Sequence, residues 1–315
     1  MDQSFRMQNI TNNADVDSGR NPQLRLISVG TVTLEYNQYD GTNTTVADAA
    51  VVYIEGPTNL TVFGCIFYGN QAIGLRLTHS GNETFNQVID NSYFINNWAL
   101  TGYGMGGAIR INHFQRNSNV TLRNCMFGNN AAMDQGGAVS VYQEGGTLLV
   151  HNNIFDGNAA DSGNMRFSAH YNGTVYITNN TFQNNVARLG SALSSFSTTC
   201  NVTIQNNWIH HNNATQNGVF YTYYVTDSHF DITQNLLEYN FGGIKSAGFF
   251  FNELNSTTLE FRDNIAQHND GNLGTALVVV GWYNEDNGPI LVENNTFVNN
   301  TARWSETGTC GVGLH

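Results

Sequence analysis

The chain has 315 residues and a formal net charge of −12, from 12 Lys and Arg against 24 Asp and Glu. Only 11% of its residues are charged, about half the usual share. An acidic chain with no basic stripe is not built to hold nucleic acid, and it has no run of 18 apolar residues that would span a membrane as a helix.

Residues 1–21 are polar, carry no signal-peptide core and read as an extended arm. Residues 22–58 hold three strand patterns, Leu24 to Ile27, Thr31 to Tyr36 and Ala49 to Ile54, and read as an opening or capping coil. From residue 59 to 315 a pattern of the form N-x-F-x-x-N-x-A recurs. Its central apolar anchors are Phe67, Phe94, Phe127, Phe155, Phe182, Ile209, Leu237, Ala266 and Phe297, spaced 27 to 33 residues apart. Three residues after each anchor stands an asparagine: Asn70, Asn97, Asn130, Asn158, Asn185, Asn212, Asn240, Asn269 and Asn300. Two residues further on is always Ala or Gly.

A fixed period with a fixed internal pattern means stacked units, none able to bury its own apolar face. Apolar residues five and seven before the anchor, with a variable residue between them, give strand alternation. A second polar column lies three before the anchor (Asn91, Asn124, Asn152, Asn179, Asn206, Gln234, Asp263, Asn294). Asparagine there tolerates the left-handed conformation that bends the chain, and stacked amides are expected to bond along the stack. About 28 residues per coil with three short strands gives an all-β, single-domain parallel β-helix (β-solenoid) of about ten coils, nine of them carrying the motif.

Gly106-Gly107-Ala108-Ile109, Gly136-Gly137-Ala138-Val139, Gly190-Ser191-Ala192-Leu193 and Gly274-Thr275-Ala276-Leu277 form a second signature, eight to twelve residues after their anchors. F-x-x-N together with G-G-A-[ILV] resembles the repeats of polymorphic outer membrane proteins, over roughly residues 59–315. The resemblance implies a right-handed parallel β-helix and a surface-exposed, adhesive or structural role. It does not extend to a C-terminal membrane barrel.

Twelve N-x-S/T sequons point to N-linked glycans, with the missing leader ascribed to a fragmentary or processed sequence. Asn59, Asn119 and Asn201 all lie eight before an anchor, with Thr61, Thr121 and Thr203 in the outward column, and are the best sites. Asn43, Asn82, Asn172, Asn213, Asn255 and Asn299 are further candidates, whereas Asn179 and Asn294 are placed in an inner column and expected to be poor. Cys65 and Cys125 share a column two coils apart, too far to bridge, and read as replacements for a ladder asparagine. Cys200 and Cys310 read as free thiols.

The best catalytic cluster is Asp231 and Glu260 on adjacent coils, with Arg262 and His229 beside them. Stacked carboxylates about 5 Å apart have the spacing of a retaining glycosidase pair, but two acids on neighbouring coils also arise on any solvated face. His210, His211 and His268 lie one or two residues past their anchors and read as solvated or corner histidines; His211 and His268 share a column two coils apart, too far to share a metal, no calcium-loop pattern is present, and no cofactor is implied. Outward aromatics, Tyr221, Tyr223, Tyr224, Trp282 and Tyr283, suit sugar or protein contacts. The reading is a non-enzymatic structural glycoprotein, extracellular or at a cell surface, that self-associates head to tail. A carbohydrate-binding adhesin and a polysaccharide-degrading enzyme are the alternatives.

Overall fold

The computed structural model describes residues 4–8, 11–13, 23–27, 30–41, 48–79, 83–99, 104–114, 118–171, 173–281 and 288–303. One coil shows how the sequence builds all of them. In Asn119–Arg123, Val120 and Leu122 point inward and are buried, while the residues between them face out. Asn124 then takes a φ of 54° and turns the chain. Met126–Gly128 buries Phe127, and Asn129, with φ 52°, makes the second turn. Ala131–Ala132 is a two-residue strand. Gly136 (φ 66°) turns the loop, and Gly137 passes so close to the next coil that a Cβ there would lie 2.1 Å from Asn164 Oδ1. Val139–Glu144 completes the coil.

Stacked in parallel, these strands form four sheets. The first, from Ser4–Gln8 to Ile290–Glu293, has 11 strands, as does the second, from Thr11–Asn13 to Thr296–Val298. The third, from Trp98–Ala99 to Thr301–Ala302, has 8, and the fourth, from Leu24–Ile27 to Leu277–Gly281, has 10. The molecule is an all-β, right-handed parallel β-solenoid.

Three expectations are corrected. A coil has four strands where the third sheet is present; five of that sheet's eight strands are two residues long, too short to leave an alternation signal. Ser4–Gln8 and Thr11–Asn13, expected in an extended arm, are strands of a further coil that pair with Thr31–Glu35 and Gln38–Asp40. The opening coil is also regular, with Tyr39 fully buried in the anchor column beside Phe67. Its motif was hidden because Thr42 replaces the usual asparagine.

Every anchor from Phe67 to Ala266 is fully buried. Phe297 is 37% exposed, since it lies on the last strand of its sheet. Tyr39, Phe67, Phe94, Phe127, Phe155 and Phe182 stack face to face, with centroids 4.6–5.3 Å apart. Beside them runs the expected asparagine ladder. Asn158 donates from both its backbone N and its Nδ2 to Asn185 Oδ1, at 2.9 and 3.0 Å, and also from Nδ2 to the Phe127 carbonyl at 2.9 Å. The same three bonds recur from Asn97 to Asn269.

The second ladder is not where the sequence placed it. Asn152, Asn179 and Asn294 are exposed turn residues with φ near 55°, and where they bond along the stack, as Asn152 Nδ2 does to Asn124 Oδ1 at 2.7 Å, they do so on the surface. The inner column begins one residue later, at Asn153, Asn180, Asn207, Asn235, Asn264 and Asn295, and repeats the bond pattern of the first. Cys65, Ser92 and Cys125 occupy its lower rungs. Cys65, Cys125 and Cys200 are buried free thiols, and burial pushes those of Cys125 and Cys200 up to about 12. Cys310 lies outside the described residues.

Two outcomes follow from this packing. Asn158→Ala removes an acceptor that serves two buried donors and is expected to lower stability by about 1–3 kcal/mol in equilibrium denaturation, whereas Cys125→Asn adds a rung and is expected to hold or raise it. His113 is sealed in the corner between the fourth and first sheets, against Phe85 and Ser118 and facing His79. Burial, with a smaller contribution from His79, lowers its pKa to about 3. Between about pH 6.5 and 3 the unfolded chain therefore binds a proton that the folded chain refuses. Stability contributed by neutral His113 is complete above that window and falls as pH drops through it, by up to about 1.4 kcal/mol per unit. His113→Gln, which repeats the Gln143 of the adjacent coil, is expected to flatten that slope in pH-dependent denaturation curves.

Candidate functional site

The expected catalytic trio lies together on the outer face of the first sheet. Asp231 and Glu260 are register partners on neighbouring strands, His229–Thr233 and Thr258–Arg262. Arg262 joins them, 3.3 Å from Asp231 Oδ1 and 2.8 Å from Glu260 Oε2. His229 is engaged with Thr258 Oγ1 at 2.6 Å. Both carboxylates are thus tied to one guanidinium on a half-exposed face, an arrangement that also serves as a surface ion-pair network.

A denser assembly of polar side chains sits on the outer face of the fourth sheet. Period-two alternation sends Arg25, Tyr53, Arg76, Arg110, Ser140, Arg166 and Ser194 outward in one column. Tyr142 and Ser168 lie in the next column, and Glu144 and His170 pair beyond them. Tyr142 donates to Glu144 Oε1 at 3.0 Å, and Ser168 Oγ lies 3.0 Å from His170 Nε2. Desolvation first, then the bond to Glu144, raises the Tyr142 phenol to about 12. Desolvation, reinforced by Arg166, lowers the His170 imidazole against the pull of Glu144. Tyr142 and His170 therefore stay neutral around neutral pH, and the face offers hydrogen-bond donors and aromatic edges together with its arginines. Sequence reasoning missed it because the loops before the fourth sheet vary in length and blur its columns.

Among the described residues there is no group of three or more His, Cys, Asp or Glu placed to hold a metal ion. His211 and His268 instead sandwich Tyr239, with ring centroids 5.2 and 5.0 Å apart, and Trp208 stacks on His210 at 4.0 Å. Of the expected outward aromatics, Tyr221 is nearly buried, packed with Phe250 and Val278. Tyr223 is half-buried and Tyr224 exposed at a φ of 56°; Trp282 and Tyr283 lie outside the described residues.

Asn59, Asn119 and Asn201 are exposed in one column of the first sheet, with Asn86 between the first two. Asn213 and Asn299 are exposed and Asn255 is half-buried. Asn43, Asn82 and Asn172 lie outside the described residues. Asn179 and Asn294, expected to be sealed, are open to solvent. No helix among the described residues is long and apolar enough to cross a membrane.

No curated protein and no solved structure matches this chain. The family described as the right handed beta helix region matches residues 50–249, well over half of the sequence and the stretch that carries most of the ladder rungs. The parallel sheets, the buried anchor stack and this match together place the chain in the right-handed beta helix family.

Proposed function

We propose that the protein is a non-enzymatic structural solenoid, outside the cell or at its surface, that associates with copies of itself. The observation that carries this reading is an apolar ridge along the second sheet. Ile66, Tyr93, Met126, Ile154, Thr181, Trp208, Leu236 and Ile265 are successive register partners in the outward column. Five of them, Ile66, Tyr93, Ile154, Trp208 and Ile265, are 38–48% exposed. At about 4.8 Å per coil this makes an uncharged strip over 30 Å long, larger than the scattered apolar residues a monomer ordinarily shows.

A second apolar surface supports the head-to-tail contact expected from the sequence. Ile290, Leu291, Phe297 and Val298 of the last two strands of the first and second sheets are all exposed. A contact that repeats in one direction without closing grows a filament. The likeness of the motifs to polymorphic outer membrane protein repeats fits such a surface role. N-linked glycans at Asn59, Asn119 and Asn201 would project from the first sheet and leave the second free.

Light scattering and negative-stain imaging at micromolar concentration test the reading. The intact chain is expected to run well above monomer mass. Ile154→Lys with Trp208→Lys breaks a lateral contact, and Ile290→Lys with Val298→Lys breaks an axial one. An intact chain that stays monomeric overturns the proposal. Cleavage of a uronic-acid polymer that vanishes in Asp231→Asn or Glu260→Gln would favour an enzyme instead.

A further inference from the structure

Arg166 is a mostly buried cation that forms no ion pair among the described residues. In the same outward column, Arg25 pairs with Glu55 at 3.1 Å, Arg110 with Asp48 Oδ1 at 2.7 Å, and Arg76 donates to the Asp48 carbonyl at 2.9 Å. Among the described residues Arg166 has neither an ion pair nor a hydrogen bond. Its Nε is sealed from solvent with no acceptor. Its guanidinium carbon lies 5.6 Å from the Phe196 ring centroid. The register partner on the adjacent coil, Ser194, is fully buried, and its Oγ is also without a partner. Asp134 acts on Arg166 through space but makes no ion pair with it.

This is an expensive arrangement for a chain to keep. Desolvating a charge is unfavourable unless a partner returns the lost solvation, and unpartnered buried polar atoms are rare in native proteins. Burial lowers the pKa of Arg166, yet only to about 10, so it remains charged at neutral pH. A planar fork of N–H donors, backed by an aromatic ring, matches the geometry of a carboxylate, sulfate or phosphate.

We propose that Arg166, through the two outer nitrogens of its guanidinium, is a binding site for the oxyanion group of a ligand on the outer face of the fourth sheet. The site is on a different face from the apolar ridge and does not depend on self-association. Asp134 and Glu144 on the same side would disfavour a highly charged ligand, so a singly charged group suits it best.

Calorimetric titration of the full chain with sodium acetate, sodium sulfate and sodium phosphate, at ionic strength held constant with sodium chloride, tests the site. At least one oxyanion is expected to bind and to raise the thermal midpoint. Arg166→Gln should weaken that binding at least tenfold, and should be no less stable than the native chain when no oxyanion is present. Arg166→Lys, which keeps the charge but not the fork, should weaken it several-fold and guards against a folding defect in the first variant. A preference for acetate identifies a planar carboxylate as the partner, and a preference for sulfate or phosphate a tetrahedral group. Equal responses in native and Arg166→Gln chains, or no response to any oxyanion, would overturn the proposal and leave Arg166 to water and Asp134.

Discussion

Each turn of this solenoid leaves corner carbonyls and amides pointing into its own interior, and one buried amide side chain satisfies them. An inner asparagine caps the carbonyl of the coil on one side and is itself the acceptor for its counterpart's backbone and side-chain donors. Only a side chain with both a carbonyl and an NH2 group can do this. The bonds close only if neighbouring coils are in register, so the amide fixes the stacking of the strands as well as the corner. Every other columnar feature, the aromatic stack, the outward ridge and the arginine row, depends on that register.

The core shows how volume is conserved when one column weakens. Phenylalanine anchors run from Phe67 to Phe182 and then give way to Ile209, Leu237 and Ala266. Across the same coils the other walls thicken: Phe220, Phe230, Phe249, Phe251 and Phe261 turn inward, fully buried and packed edge to face. Interiors are filled to crystal-like density, so a small residue in one wall is matched by a large one opposite. The weaker anchors of the later coils are therefore not weaker coils.

What the sequence revealed follows the same physics. The ladder ending in Asn300 was legible because an asparagine stands there in all nine repeats from Phe67 to Phe297. The ladder through Asn153 and Asn180 was not, because both it and the adjoining turn column are rich in asparagine. One column needs an amide and the other needs a left-handed backbone, and a bare sequence of Asn-Asn pairs does not say which is which. Cys65, Ser92 and Cys125 hid it further, by standing in for the amide on its first rungs. The coil around Ser4–Gln8 escaped notice because Asn12, not an apolar residue, stands opposite Tyr39. Asp231, Glu260 and Arg262 were brought together as their spacing implied. Arg166 was invisible, since its column appears only after the glycine loops are folded.

The amide ladders also give the rod an arrow. Each rung's N–H groups reach toward the rung that comes later in the chain, and its carbonyl oxygen receives from the one before. A coil laid down during synthesis thus presents a row of unfilled donors that the next coil satisfies as it emerges. Growth by templating can proceed in the direction of translation, each turn serving as the mould for its successor.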